Sequence, residues 1–450
     1  MELLLPLLLA CSLLFPLAMT SKEVCDSQTN DFQHLNSTGV HFTLHHPRSP
    51  CSPTPLPSDL PFSAIIAHDA ARIARLTLTT KTPSSLHDDN NLADSLTATV
   101  PLSPRHSVDA GNYVTQLGFG TPATLYTMVI DTGSSLTWLQ CSPCEVFCNR
   151  QTGPIFDPQA SSTYASVPCS APQCAELVDA TNSPSGCSDS NVCKYHSGYG
   201  DKSFSSGYLG KDTVSLGSSS FPAFYYGCGQ DNKGFVDSRA GMIGLSKSKL
   251  SLFNQLAPSL GSSFSYCLPT SASAGYLSIG PYNPGLYSYT PMLSSSVNPV
   301  LYFVGIAGMS VGGRPLAVSS SAYRSLPTII DSGTVITRLP PAVYTALSKA
   351  VASAMAGTPR APAAGILDTC FQGQASDLHM PTVDLTFSGG LTLQLVSGNV
   401  LYDLDGSTTC LAFAASKSRI AVIGNTQQQT FNVVYDVTQS RIGFAAGGCS

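Results

Sequence analysis

From residue 111 onward the chain is written in short apolar runs cut by Gly, Pro, Ser and Asn, with few long stretches of 3.6-residue period. Runs rich in Val, Ile, Tyr and Phe between turn formers predict strands, so the body is expected to be all-β with few short helices. The pattern is also doubled. Asn112 to Asp131 reads as an aromatic strand, a Gly turn, then Met-Val-Ile-Asp-Thr-Gly; Leu301 to Asp331 reads as a Tyr-Phe-Val strand, a Gly-Gly turn, then Thr-Ile-Ile-Asp-Ser-Gly. Each half closes on an apolar-apolar-Gly element, Met242-Ile243-Gly244 and Val422-Ile423-Gly424. Two related β-barrel-like lobes follow as the expectation, residues 107–287 and 288–450. The first lobe is the longer between its Asp and its closing Gly, and the Cys-dense stretch Cys141 to Cys193 is the place for the surplus.

The first hundred residues are patterned differently. Leu3 to Phe15 is almost wholly apolar and is followed by Pro16 and small residues. The run is shorter than the roughly 20 residues a bilayer span needs, so residues 1–20 read as a signal peptide and no membrane anchor is expected. The first Arg is Arg48, which disfavours an Arg-rich plastid transit peptide. Secretion to the extracellular space is the expectation, with the vacuole or plastid as the alternative. Residues 21–106 read as a propeptide: Pro-, Ser- and Thr-rich near Pro47 to Pro57, polar and acidic near His87 to Asp94, and without strand alternation. One helix is predicted there, Phe62 to Leu76. Ile65, Ile66, Asp69/Ala70, Ile73 and Leu76 follow a helical period while Arg72 and Arg75 lie together off the stripe. Such a helix is marginal alone and needs a partner surface, for which the cleft of the body, with carboxylates facing the two arginines, is the candidate. Seven of the nine histidines also fall here, His34, His41, His45, His46, His68, His87 and His106. They read either as an acid-sensitive element of that docking or as a polar segment that happens to be His-rich. The one sequon, Asn36-Ser37-Thr38, places any N-glycan in the propeptide.

The chemistry sits in the two repeated turns, Val129 to Ser135 and Ile329 to Thr334. Each delivers a carboxylate, Asp131 or Asp331, between a β-branched run and a Gly, and the two lie 200 residues apart in the chain. Only folding of two similar halves brings them together. Two carboxyls in contact cannot both ionise cheaply, so the pair holds one proton across the acidic range. Ser134 and Thr334 stand at matched offsets where hydroxyls can orient the outer carboxylate oxygens. Gly133 and Gly333 permit close backbone approach.

These turns occur in order with Asn-Tyr-Val-Thr-Gln-Leu-Gly-Phe-Gly-Thr-Pro (from Asn112), Leu-Thr-Trp-Leu-Gln-Cys (from Leu136), Tyr-Gly-Asp (from Tyr199), Phe-Ser-Tyr-Cys-Leu (from Phe264) and Ile-Gly-Asn-Thr-Gln-Gln-Gln (from Ile423). On those segments the chain resembles the pepsin-like aspartic proteases, and within them the cysteine-rich plant group typified by nepenthesin, over nearly everything from Gly111 to Cys449. The resemblance implies a bilobal pepsin-like acid protease fold and an endopeptidase in which Asp131 and Asp331 activate a water. It implies hydroxyls of Thr132 and Ser332 that reach across to the opposite lobe. It implies a flap carrying Tyr199 and Gly200, with Trp138 hydrogen-bonded to Tyr199. Polypeptide substrates, pepstatin-like inhibitors and the chain's own propeptide are the implied partners of a monomer that uses no metal and no organic cofactor. Lys202 departs from the family, which commonly has Gly at that flap position. The alternative is a catalytically silent pepsin-fold binding or inhibitor protein, disfavoured because both Asp turns and Tyr199 are intact.

Composition narrows this further. Formal net charge is −5, 11% of residues are charged, and no basic run occurs, so a nucleic-acid partner is not expected. Of 15 cysteines, Cys11 would leave with the signal peptide, Cys25 and Cys51 lie in the propeptide, and twelve lie in the body: Cys141, Cys144, Cys148, Cys169, Cys174, Cys187, Cys193, Cys228, Cys267, Cys370, Cys410 and Cys449. An even set in a secretory chain reads as disulfides rather than a zinc site, since no second paired cluster or nearby His accompanies Cys141 to Cys148. One pairing, Cys370 with Cys410, is implied by the resemblance.

Overall fold

The computed structural model describes residues 39–57, 60–78, 112–199, 203–234, 238–296 and 298–449, together with Cys25. The expected signal peptide, the Asn36 sequon, His34, residues 79–111 with His87 and His106, Gly200 and Lys202 lie outside the described residues.

The architecture is mostly β, with helices Phe62–Leu78, Pro172–Thr181, Leu252–Leu260, Pro341–Ala354 and Ser397–Val400 among the described residues. None of these is long and apolar enough to cross a membrane. A 15-stranded sheet runs from the C-terminal strands Ser288–Pro291, Arg441–Ala445 and Asn432–Asp436 through Ser263–Cys267 and Ala274–Ile279 into the first lobe, so one sheet ties the halves together. Aromatic packing fills the seam, with Phe264 stacked on Tyr435 at 4.5 Å between ring centroids.

The doubled sequence pattern becomes a doubled local fold. Thr124–Asp131 runs parallel to Gly241–Gly244, with Asp131 opposite Gly244; Thr328–Ile330 runs parallel to Ala421–Ile423, with Ile330 opposite Ile423. Parallel strands covered on both faces need continuous apolar runs, and Met128, Val129, Ile130, Ile329 and Ile330 are all buried. Each run therefore ends by driving its Asp into the centre of the molecule.

The expectation that residues 21–106 lack a strand is wrong. Val40–His45 pairs antiparallel with Ala274–Ile279 over six positions, and His45 also pairs with Val114. The segment Val-His-Phe-Thr-Leu-His does alternate, burying Phe42 and Leu44. Two histidines among its outward positions disguised a short strand that needs a ready sheet edge. The predicted helix runs two residues further than expected, to Leu78.

All twelve body cysteines are paired: Cys141–Cys228, Cys144–Cys148, Cys169–Cys187, Cys174–Cys193, Cys267–Cys449 and Cys370–Cys410, with Cys25–Cys51 in the N-terminal segment. The Cys141 to Cys193 insertion is thus stapled internally. Its Val167 and Leu177, together with Tyr195 just beyond it, share an apolar cluster with Trp138, which fixes one wall of the cleft.

Candidate active site

The two Asp turns meet face to face. The Thr132 amide donates to Ser332 Oγ at 3.1 Å, and the Ser332 amide donates to Thr132 Oγ1 at 2.9 Å, a reciprocal pair that locks one lobe's turn to the other's. Gly133 donates to Asp131 Oδ1 at 2.8 Å and Gly333 to Asp331 Oδ1 at 3.3 Å. Ser134 Oγ bonds Asp131 Oδ2, and Thr334 Oγ1 bonds Asp331 Oδ2 at 2.6 Å. Behind the second turn, Asn425 Nδ2 donates to the Ser332 carbonyl at 3.0 Å and Gln428 Nε2 to the Asp331 carbonyl at 3.3 Å. Both carboxylates are fully buried. A network in which every member is satisfied holds its groups rigidly, which is what a pair of reacting carboxyls requires.

The first-lobe wall carries the aromatic pair. Trp138 Nε1 donates to Tyr199 Oη at 2.8 Å. Tyr199 follows the strand Cys193–Gly198, whose antiparallel partner Phe204–Leu216 returns the chain, and its amide donates to the Ser203 carbonyl at 2.7 Å. It therefore stands at the neck of a hairpin above the carboxylates.

The helix Phe62–Leu78 lies in this cleft, and Arg72 reaches both carboxylates at once. Its Nε donates to Asp331 Oδ2 at 2.6 Å, Nη2 to Asp331 Oδ1 at 2.6 Å, and Nη1 to Asp131 Oδ2 at 2.8 Å; Nη2 also meets Asp131 Oδ1. The fit leaves no room for side chains at the two turn glycines. A Cβ at Gly133 would fall 2.5 Å from Arg72 Nη2, and one at Gly333 would fall 2.3 Å from Arg72 Cζ. Burial alone would push the Asp131 pKa up, but the Arg72 charge and the hydrogen bonds from Arg72, Ser134 and Gly133 hold it below the ordinary carboxylate value. Burial likewise works against the Arg72 charge, and Asp131 and Asp331 more than reverse that.

The rest of the helix anchors this arginine. Ile65 and Ile66 pack with Val335, Ile336, Leu367, Ala412 and Ala414, while Ile73 and Leu76 pack with Leu301, Phe303, Ile329, Ile420 and Val422. Arg75 does not face a carboxylate as expected. Its guanidinium lies over the Tyr199 ring, 4.3 Å from the centroid. Sequence reasoning also missed Asp69, counted among the apolar positions of the stripe, which is fully buried and accepts from the Val335 and Ile336 amides and from Arg338.

A family profile described as "Xylanase inhibitor N-terminal" matches residues 113–281, and one described as "Xylanase inhibitor C-terminal" matches residues 301–446. An aspartyl protease family protein of Arabidopsis thaliana is 40% identical over 369 residues, covering 80% of this chain and 77% of that protein. The chain belongs to the pepsin-like plant aspartic protease family. Within it, the aspartyl protease AED1 of Arabidopsis thaliana is 36% identical over 421 residues, 92% of this chain and 88% of that protein. Aspartic proteinase nepenthesin-2 of Nepenthes gracilis is 35% identical over 353 residues, 75% of this chain and 78% of that protein. The soybean basic 7S globulin structure shares the fold at TM-score 0.60 and 20% identity, covering 77% of this chain and 95% of that one. The profile matches span both Asp turns of this family member, and the helix Phe62–Leu78 lies before them.

Proposed function

We propose that this family member is the precursor of an aspartic endopeptidase, secreted and held silent by its own N-terminal segment. The observation that carries the reading is the reciprocally locked Asp131/Asp331 pair with one arginine spanning it. With the helix gone, one ionised and one protonated carboxyl remain on either side of a space open to water and substrate. The ionised carboxylate takes a proton from a water that attacks the scissile carbonyl, and the protonated carboxyl donates to the carbonyl oxygen. The amides and hydroxyls around each Asp keep both in place, and no covalent intermediate forms. Tyr199, steadied by Trp138, closes over the substrate.

In the precursor, Arg72 fills the position of water and substrate, Arg75 holds Tyr199, and two apolar clusters seat the helix. The strand Val40–His45 adds sheet pairing to the same segment. The second reading, a silent binding protein, is favoured by the xylanase-inhibitor description of the matching profiles and by the globulin fold likeness. Against it stand both Asp turns and the Trp138–Tyr199 pair, each complete. The deciding experiment incubates the purified full chain at graded acid pH with a denatured protein, with and without pepstatin. Pepstatin-sensitive cleavage that appears together with loss of the N-terminal segment supports the protease reading. No hydrolysis at any acid pH sinks it.

A further inference from the structure

The second lobe repeats the first in one respect that the dyad does not use. Trp138 stands seven residues after Asp131, opposite Met242; Arg338 stands seven residues after Asp331, opposite Val422. The duplication thus places a cation on the second-lobe wall where the first lobe has its aromatic. Arg338 lies in the short strand Thr337–Leu339 and its side chain is only 6% exposed, so a partner is required. That partner is Asp69 of the docked helix. Asp69 Oδ1 accepts from the Val335 amide at 2.6 Å, and Oδ2 accepts from the Ile336 amide at 2.8 Å and from Arg338 Nη2 at 3.3 Å.

We propose that Val335 N–H, Ile336 N–H and Arg338 form a carboxylate-binding site in the cleft wall, filled in the precursor by Asp69 and in the mature enzyme by an acidic side chain of the substrate. The substrate half of this proposal rests on the protease reading above.

The site belongs to the lobe and not to the helix. Arg338 Nη1 donates to the Ile336 carbonyl at 2.9 Å, fixing the guanidinium to the bend that carries the amides. Thr426 Oγ1 donates to the Val335 carbonyl at 2.9 Å, and Asn425 N to the Thr334 carbonyl at 2.6 Å, fixing that bend in turn. The donors are preorganised around both oxygens of one carboxylate, and charge-assisted bonds of this kind are the strong ones. Among the described residues, Asp69 is the carboxylate paired with Arg338. Its departure leaves the guanidinium and the two amides facing the cleft, where an arriving carboxylate takes the place of Asp69. Asp69 precedes Arg72 by three helical residues, about 4.5 Å of rise, so the site lies about one or two residues of extended substrate from the scissile bond.

The test compares wild type, Arg338→Gln and Arg338→Lys, each expressed as full chain and activated in acid. Peptides identical except for Glu or Gln at each of the two positions on either side of the scissile bond are cleaved at pH 5, where a free Glu is largely ionised. At one position wild type prefers Glu about tenfold in kcat/KM, the step expected of one charge-assisted pair. Arg338→Gln abolishes that preference, bringing the Glu-to-Gln ratio of kcat/KM to about one whatever the variant's absolute rate, and Arg338→Lys keeps part of it. In parallel, Asp69→Asn and Arg338→Gln in the intact precursor show non-additive effects on unfolding. Coupling in the precursor without any Glu preference overturns the substrate claim, leaving amides that serve peptide carbonyls. Absence of both overturns the site altogether. If no peptide is cleaved, the protease reading and the substrate claim fall together, and the precursor cycle alone decides whether the carboxylate site exists.

Discussion

Replacing Arg72 with Ala should open the precursor without touching the dyad. The guanidinium bonds both Asp131 and Asp331 and its side chain is 6% exposed, so its loss leaves two buried carboxylates facing each other without a countercharge. Breaking a buried pair of this kind costs about 3–5 kcal/mol. The low end applies, because the dyad relieves itself by retaining one proton. About 3 kcal/mol off helix docking is roughly a hundredfold rise in the open fraction. Pepstatin reads that fraction directly, since a ligand of the open cleft binds with an apparent affinity scaled by the population able to accept it. Titration of the intact precursor at pH 6.5, with a gel to show that the chain stays unprocessed, should give about hundredfold tighter binding for Arg72→Ala than for wild type. Arg72→Lys should fall between them, because a point-like ammonium cannot span both carboxylates as the guanidinium fork does. Equal affinity in all three proteins would refute the plug.

Asp131→Asn and Asp331→Asn should each lose nearly all turnover after forced removal of the N-terminal segment, with unfolding still cooperative; substantial residual kcat in either would remove the dyad assignment. Tyr199→Phe keeps the ring under Arg75 and loses the bond from Trp138, so activity should fall by less than in the Asp variants, and a collapse as deep as theirs would misplace the tyrosine. Thiol titration of the denatured, unreduced mature chain should find no free cysteine, and a strong chelator should leave activity unchanged; free thiols or chelator sensitivity would contradict the disulfide pairing. His46→Gln should move acid release of the N-terminal segment to lower pH, read as the midpoint of activation.

The dyad was legible because its signal is local and repeated. Two Asp turns with matched hydroxyls identify themselves without knowledge of the fold, whereas the parallel pairing of each Asp strand with its apolar-apolar-Gly element was not read from the sequence. The helix was legible from its period, yet the destination of its polar residues was not. Arg72 meets partners 59 and 259 residues away, and nothing in its own segment distinguishes it from Arg75, which stacks on an aromatic ring instead. Asp69 was hidden for a related reason. It occupies a position of the buried stripe, where a carboxylate makes sense only once the Val335 and Ile336 amides and Arg338 are seen behind it. Arg338 in turn reads as a stray charge in a strand until Asp69 arrives. The strand Val40–His45 depends on the edge of Ala274–Ile279, which six alternating residues cannot announce. Disulfide connectivity is of the same kind, fixed by which strands become neighbours, as when Cys370 and Cys410 fall opposite each other in one ladder.

The acid response of the docked segment is a balance of opposed groups, and the sign of each follows from its surroundings. Burial, and then the Arg48 charge, push His46 from 6.5 down to about 4, and burial lowers His45 as well. His46 accepts from the Arg48 amide at 3.1 Å and packs edge-on against Tyr113, near Tyr402, and among the described residues no carboxylate is seen to offset the protonation. A base with a depressed docked pKa supports docking above its free value and loses that support as pH falls toward the docked value. At pH 5 the loss from His46 alone is about 2 kcal/mol, some thirtyfold in the docking equilibrium. Asp131 acts in the same direction at lower pH, since its carboxyl is held down by Arg72 and protonation breaks that contact. Asp69 opposes both. Burial raises its pKa despite Arg338, the two amides and His68, so the docked helix binds its proton more readily than the free one, and acid favours docking at that position. The histidine window, from pH 6.5 to about 4, opens above the range of Asp131, whose carboxyl is held below its ordinary value, so on the precursor reading proposed above release in mild acid depends on His45 and His46 more than on the Asp131 contact of the arginine plug. An activation profile of the His45→Gln, His46→Gln double variant identical to that of wild type would remove these histidines from the mechanism and leave Asp131 as the group that starts release.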